Sequence, residues 1–240
     1  MNNDLNETVE LPVNPQSTEI SEWEYYGKLS YTSVKIGNYV ERIGNHAFAH
    51  NIRLQNVEFR ENLKYIGKGA FYYCTNLKEV KWSPSVREID EGAFCMCSSL
   101  KEVILPESVN SIKGWAFAGS RIEKITLPEN LQKILYFTFH NCYDLKEITL
   151  PDTLTEIECS AFFNCSRLES ITIPKNVKAI GSYAFKNCWG LKEIYFQENI
   201  VNVGKEIFTG CGRMTIHLPY SDQSPLWTKK LSSYCTIKFY

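Results

Sequence analysis

Residues Leu145 to Cys165 read LKEITLPDTLTEIECSAFFNC, and most of the chain is built from copies of this stretch. Moving 23 residues forward, LESITIPKNVKAIGSYAFKNC (Leu168 to Cys188) carries the same residue types at the same offsets, and LKEVILPESVNSIKGWAFAGS (Leu100 to Ser120) does so earlier. A fixed period of this size marks a stacked-repeat architecture, in which each unit buries its apolar face only against its neighbours. The chain of 240 residues is therefore read as one elongated domain.

Two columns set the register. Phe48, Phe71, Phe94, Phe117, Phe139, Phe162, Phe185 and Phe208 recur at a step of 23, shortened once to 22 after Phe117; five residues before each lies Ile43, Ile66, Ile89, Ile112, Ile134, Ile157, Ile180 or Val203. The lost residue falls in AGSRIEK (Ala118 to Lys124), where a turn tolerates deletion. After each Phe comes an apolar triplet such as Leu145, Ile148 and Leu150, whose alternating end is the period of a short half-buried strand. One strand per repeat, stacked in order, makes a parallel ladder. Pro106, Pro128, Pro151 and Pro174 stand directly after the strand, where a residue without an N–H ends the pairing. Two places on, Asn62, Ser85, Ser108, Asn130, Thr153, Asn176 and Asn199 form a polar column suited to satisfying turn backbone. The segment from Ala161 to Cys165 is too short for a full helix and is expected to make one helical or 3-10 turn opposite the strand. The small residue before each Phe, usually Ala, lets neighbouring turns approach.

The ends depart from the rhythm. Residues 1–19 are polar and acidic and are expected to be a flexible leader, with 20–31 a degenerate N-terminal cap, 20–219 the solenoid of about eight repeats, and 220–240 a C-terminal cap. In that last segment Leu226, Trp227, Leu231 and Tyr234 lie at roughly helical spacing, and Thr236 to Phe239 has strand character. A net charge of -1 gives no electrostatic footprint for nucleic acid. The first twenty residues hold neither a basic n-region nor an apolar run, so no membrane span is expected, and the location stays open between the cytoplasm and, if an export signal was trimmed, the cell surface.

The offsets Leu145, Ile148, Leu150 and Thr153, with Asn62, Asn130, Asn176 and Asn199 in the Thr position of other copies, resemble the leucine-rich repeat signature LxxLxLxxN. The continuation, a Pro after the strand and then an Ile-Gly and Ala-Phe-x-x-Cys half, is similar to the 23-residue repeats of BspA-like proteins, over about residues 31 to 219. The resemblance implies an α/β fold: a right-handed leucine-rich-repeat solenoid with short parallel strands on a concave side and short helical or 3-10 turns opposite. It also implies a bacterial, surface-exposed or secreted protein that adheres to host or matrix proteins.

Candidate chemistry is thin. Cys74, Cys97, Cys142, Cys165, Cys188 and Cys211 share the column three residues after Phe, where Asn51 and Ser120 also occur, so a small, weakly polar, inward group suffices there. Cys95, Cys159 and Cys235 fall outside it and are the expected reactive thiols. Cys95-x-Cys97 and His140-x-Cys142 lack a second pair at zinc spacing, and no nucleophile with its base, phosphate cradle or carboxylate pair is recognisable. The chain is thus read as non-catalytic, without cofactor or metal. Two surfaces remain. On the strand face the outward positions Glu58, Lys81, Ile104, Thr126, Thr149, Thr172, Tyr195 and His217, with Glu79 and Glu102 beside them, are expected to line up as a protein-binding strip, Ile104 and Tyr195 being its exposed apolar members. On the turn side Tyr72, Tyr73, Trp115, Phe137, Phe163, Tyr183 and Trp189 offer an alternative aromatic surface for a glycan or a protein. An intracellular protein–protein scaffold is the third reading.

Overall fold

The computed structural model describes residues 8–12, 14, 16–200, 202–219, 228 and 235–240. The strand-forming apolar pairs produce one long ladder: β1 (Thr8–Leu11), β3 (Ser33–Ile36), β5 (Asn56–Glu58), β7 (Glu79–Lys81), β9 (Glu102–Ile104), β11 (Lys124–Thr126), β13 (Glu147–Thr149), β15 (Ser170–Ile173), β17 (Glu193–Phe196), β19 (Met214–Leu218) and β20 (Cys235–Phe239). The residue pairs around the Ile column make a second: β2 (Glu19–Ile20), β4 (Arg42–Ile43), β6 (Tyr65–Ile66), β8 (Glu88–Ile89), β10 (Ser111–Ile112), β12 (Lys133–Ile134), β14 (Glu156–Ile157), β16 (Ala179–Ile180) and β18 (Asn202–Val203). All pairings are parallel and join each strand to its counterpart one coil away, Ile134 to Ile157 and Ile157 to Ile180 for instance.

Both ladders are interrupted, and only the break in the second coincides with the shortened repeat. In the first, the hydrogen-bonded runs are β1-β3-β5-β7, β9-β11-β13 and β15-β17-β19-β20; in the second they are β2 to β10 and β12 to β18. The break between β10 and β12 spans the 22-residue step, and a cavity of about 400 Å³ opens there between Ser111, Lys113, Gln132, Lys133 and Leu135.

The expected helical turn is not what the chain makes. The described residues contain no α-helix, and the fold is all-β rather than α/β. The reason lies in two backbone columns flanking each stacked Phe. Two residues before it stand Trp23, His46, Gly69, Gly92, Trp115, Phe137, Ser160, Tyr183 and Glu206, and two residues after it Gly27, His50, Tyr73, Met96, Gly119, Asn141, Asn164, Asn187 and Gly210, all in the left-handed region with φ between 52° and 79°. Such residues cannot continue a right-handed turn. They aim alternate N–H groups at the next coil: those of His46, Phe48 and His50 donate to the carbonyls of Lys68, Ala70 and Tyr72 at 2.8, 2.8 and 2.7 Å. The intervening N–H groups close four-residue turns within the coil, as Ala49 does to His46 at 3.1 Å. This third ladder crosses the interrupted step intact, through Trp115 to Tyr136, Phe117 to Thr138 and Gly119 to His140.

Between the ladders the phenylalanines form a continuous stack, with Tyr25 as its first member at 5.2 Å from Phe48. Successive centroids lie 5.2 Å apart from Phe48 to Phe71 and widen to 6.0 Å from Phe117 to Phe139, at the shortened repeat. The polar column also acts as its chemistry suggests: Asn62 Nδ2 donates to Asn38 O at 2.7 Å, Asn176 Nδ2 to Asp152 O at 2.7 Å, and Thr153 Oγ1 to Glu129 O at 2.6 Å, each in the preceding coil. The N-terminal boundary is corrected. Thr8–Leu11 pairs with Ser33–Ile36 and Leu11 is buried, so the solenoid begins inside the stretch read as a flexible leader. At the other end, Cys235–Phe239 extends the first ladder by pairing with Met214–Leu218, which matches the strand character expected there, whereas Leu226, Trp227, Leu231 and Tyr234 lie outside the described residues.

Candidate binding surfaces

Parallel, in-register pairing fixes which side chains share a line. On the first ladder, Glu58 faces Lys81, Ile104 faces Thr126 and Thr126 faces Thr149; Thr172, Tyr195 and His217 follow in one register, and Glu102 lies beside them opposite Lys124. The predicted positions thus fall into three paired segments, Glu58–Lys81, Ile104–Thr126–Thr149 and Thr172–Tyr195–His217, divided where the ladder breaks after β7 and after β13, with Glu79 opposite Asn56 in the flanking column. The character of the strip changes along the chain. Lys35, Glu58 and Lys81 alternate in sign around a shallow cavity of about 310 Å³, and Ile104, Thr126, Thr149 and Thr172 are then uncharged and exposed. Ile104 is 61% exposed, far more than the alternation of a strand requires of an isoleucine.

Tyr195 is not the exposed apolar member the sequence suggested. Its ring stacks on His217 at 4.2 Å, its hydroxyl donates to Glu193, and the residue is half-buried. Glu193 also lies 3.8 Å from His217 Nε2. The hydrogen bond from Tyr195 and the nearby His217 and Lys238 hold the Glu193 carboxyl below its usual range, and the same bond pushes the Tyr195 hydroxyl up. At that end of the strip the Tyr195 ring and hydroxyl are engaged within the chain, whereas His217 Nε2 is buried without a hydrogen-bond partner.

The turn-side aromatics fall into separate groups. Tyr72 and Tyr73 meet each other and His50, which contacts Tyr26; Trp23 stacks on His46 at 4.3 Å. Trp115 stacks on Phe137 at 4.3 Å, and His140 bridges both to Phe163. Tyr183 carries the Lys186 ammonium over its ring at 4.9 Å, and Trp189 stands apart, 67% exposed. Burial lowers the pKa of His140, and that of His46 is lowered by burial first, with Lys68 and His50 adding to it against Glu22. Both rings are accordingly neutral stacking partners at pH 7.

The cysteine column is structural. The thiols of Cys74, Cys97, Cys142, Cys165, Cys188 and Cys211 donate to the carbonyl of the Phe one coil back, at 3.1 to 3.2 Å. Burial pushes the thiols of Cys74 and Cys142 up to about 12, which removes thiolate chemistry. Outside the column, Cys95 is half-buried and raised by burial to about 11, while Cys159 is exposed. Among the described residues no three His, Cys, Asp or Glu side chains converge in a way that could hold a metal.

One cluster escaped the sequence reading. Asp144, 7% exposed, accepts hydrogen bonds from Arg121 Nε at 2.7 Å, Lys101 Nζ at 3.2 Å and Arg167 Nη1 at 3.3 Å, cations drawn from three different coils. Burial pushes its carboxyl up, but the bonds and charges of Lys101 and Arg121 outweigh this and hold it below the ordinary range. The signal was present as Arg121, Asp144 and Arg167 at one offset in successive repeats.

Three parallel ladders around a stacked aromatic core define a leucine-rich-repeat type of solenoid. The sequence matches the BspA type leucine rich repeat region in 6 copies, over residues 18–144 and 116–224, and the chain belongs to that family. A search of curated proteins found no match. Among solved structures, the chain is similar to the leucine rich repeat protein of T. pallidum, at 25% identity and TM-score 0.55, covering 82% of this chain and 79% of that one. It is likewise similar to a leucine-rich repeat protein from Eubacterium ventriosum, at 24% identity and TM-score 0.55, covering 89% of this chain and 66% of that one. A leucine rich cell surface protein from Faecalibacterium prausnitzii shares 24% identity at TM-score 0.48, over 90% of this chain and 82% of that one. No helix among the described residues is long and apolar enough to cross a membrane.

Proposed function

We propose that the chain is a non-catalytic protein-binding module that docks a partner on the face of the first ladder, in an adhesive or host- and matrix-binding role. The observation that carries this reading is the series Ile104, Thr126 and Thr149, paired in one run with Thr172 at the start of the next: exposed, uncharged, hydrogen-bonding positions headed by an apolar side chain and preceded by the alternating charges of Lys35, Glu58 and Lys81. Protein interfaces place their affinity in a few apolar anchors and use charged rims for steering, and this series has that anatomy. Family membership supports a binding rather than a catalytic role.

The test is surface plasmon resonance against a panel of host matrix proteins, with the wild-type chain, an Ile104→Lys/Thr149→Lys variant and a Trp189→Ala variant. The strip reading expects binding that the double variant loses and the Trp189 variant keeps. Binding that survives the double variant would overturn it. A positive glycan array sensitive to the turn-side aromatics would favour the carbohydrate-binding alternative, and a partner found only in bacterial lysate would favour the intracellular scaffold.

A further inference from the structure

The left-handed column two residues before each Phe is aromatic on both sides of a gap. Trp23 and His46 stack at 4.3 Å, Trp115 and Phe137 stack at 4.3 Å, and between the pairs the column holds only Gly69 and Gly92. The two glycines have different causes. A Cβ on Gly69 would lie 2.5 Å from the His46 ring, which roofs that position, so a side chain there would require the ring to move. A Cβ on Gly92 would meet nothing nearer than Cys95 Cβ at 3.8 Å. Packing therefore leaves room for a side chain at Gly92, and the backbone admits one, since Trp115, Phe137 and Tyr183 hold the same conformation in the same column. Its absence leaves a cavity of about 390 Å³ whose walls are His46 and Trp115, whose floor is Gly69 and Gly92, and whose rim carries the Lys68 and Glu91 ion pair at 3.3 Å.

We infer that this slot is a binding site for a planar aromatic ring, the side chain of a Trp, Tyr or Phe supplied by a protein partner, which completes the interrupted stack by packing between His46 and Trp115. Ring faces set along one column favour a flat guest, because aromatic groups pack best offset-stacked or edge-on against one another. The lining separates this guest from a sugar. It is mainly apolar, and besides the single Tyr72 hydroxyl its side-chain hydrogen-bonding groups are the Lys68 and Glu91 pair and the His46 and Trp115 rings, whereas a pyranose ring needs several hydrogen-bond partners for its hydroxyls. The neutral state of His46 suits stacking without a desolvation penalty for charge. The identity of the occupant rests on the protein-binding reading; the slot itself is independent of the first-ladder strip and lies on another face.

The experiment is a titration of the isotopically labelled full chain, followed by NMR, with N-acetyltryptophanamide and separately with methyl glucopyranoside. The expected result is saturable shifts at His46, Gly92 and the Trp115 indole with the first probe and none with the second. Gly92→Phe, which fills the slot with a residue the column already accepts, should weaken the indole probe by about tenfold or more, as removal of one good contact does. Trp115→Leu serves as a second variant and should do the same. Shifts with neither probe, indole shifts that persist in both variants, or sugar shifts equal to the indole shifts would each overturn the proposal. Because neither variant touches Ile104 or Thr149, failure here leaves the strip reading standing, and failure of the strip leaves this result readable.

Discussion

Three places after the stacked Phe, six thiols bridge to the coil behind, whereas Ser120 donates to Phe117 O of its own coil at 2.6 Å and the buried Asn51 amide has no partner. Each column sulfur donates to a Phe carbonyl, as Cys165 does to Phe139 O at 3.2 Å, so Cys165→Ala removes the donor and leaves a small void. The expected cost is about 1 to 3 kcal/mol, read from urea unfolding of the variant against the wild type. Reagent access follows the same logic. In the native protein a thiol reagent should modify Cys159 first, while Cys74, Cys97, Cys142, Cys165 and Cys188 react only after unfolding, a pattern that peptide mapping of the labelled chain checks. Glycine substitutions separate two kinds of cost. Gly69→Ala meets the His46 ring as well as left-handed backbone, and Gly92→Ala meets only the backbone, so the first should lose more stability in the same urea assay, the second about 1 kcal/mol. Part of this was legible in the sequence. Gly27, Gly119, Gly210, Asn141, Asn164 and Asn187 share one column, and Gly and Asn are the residues that accept positive φ. The other left-handed column, with Trp23, His46, Trp115 and Phe137, gave no such signal, because those residue types avoid the conformation locally and adopt it here for the bonds it makes to the next coil.

Among the elements, the join from β10 to β12 is where the sequence removed a residue and the second ladder lost its pairing. The turn ladder and the phenylalanine stack cross it, and on the far edge Asp144 ties Lys101, Arg121 and Arg167 together around the same coils. The cations are roughly half-exposed and can rehydrate, so Asp144→Asn should cost no more than about 1 to 2 kcal/mol. Its pH dependence has a definite sign. The folded carboxyl titrates below its unfolded value of about 4, so the contribution is fully present above that pH and is lost as pH falls through the lower folded value. The wild type should therefore exceed Asp144→Asn in denaturant midpoint at pH 6, and the gap should close toward pH 2 to 3 if the midpoints are followed down that range. The strands were legible because their alternation and the following proline are local signals. The turn was misassigned because a short segment with Ala and Phe looks the same whether its N–H groups close a helical turn or reach the neighbouring coil; only the stacked coils decide between those.

At the scale of the whole molecule, the period established the stacking and the contents of each row, and the ends were less legible because they lack the repeat. Thr8 to Leu11 was read as part of a polar leader although its alternation, with Val9 and Leu11, is that of an edge strand pairing with Ser33 to Ile36. The candidate strip was legible as a list of positions, yet the stacking of Tyr195 on His217 depends on a side chain from the next coil, which a single repeat does not reveal. Every surface described rests on coils lying parallel and in register. Methyl-to-methyl NOEs among specifically labelled isoleucines test this most directly. The account expects cross-peaks linking Ile43 to Ile66, Ile66 to Ile89, Ile134 to Ile157 and Ile157 to Ile180, each one coil apart, with none skipping a coil. Cross-peaks in an antiparallel pattern, or none between isoleucines one coil apart, would contradict it.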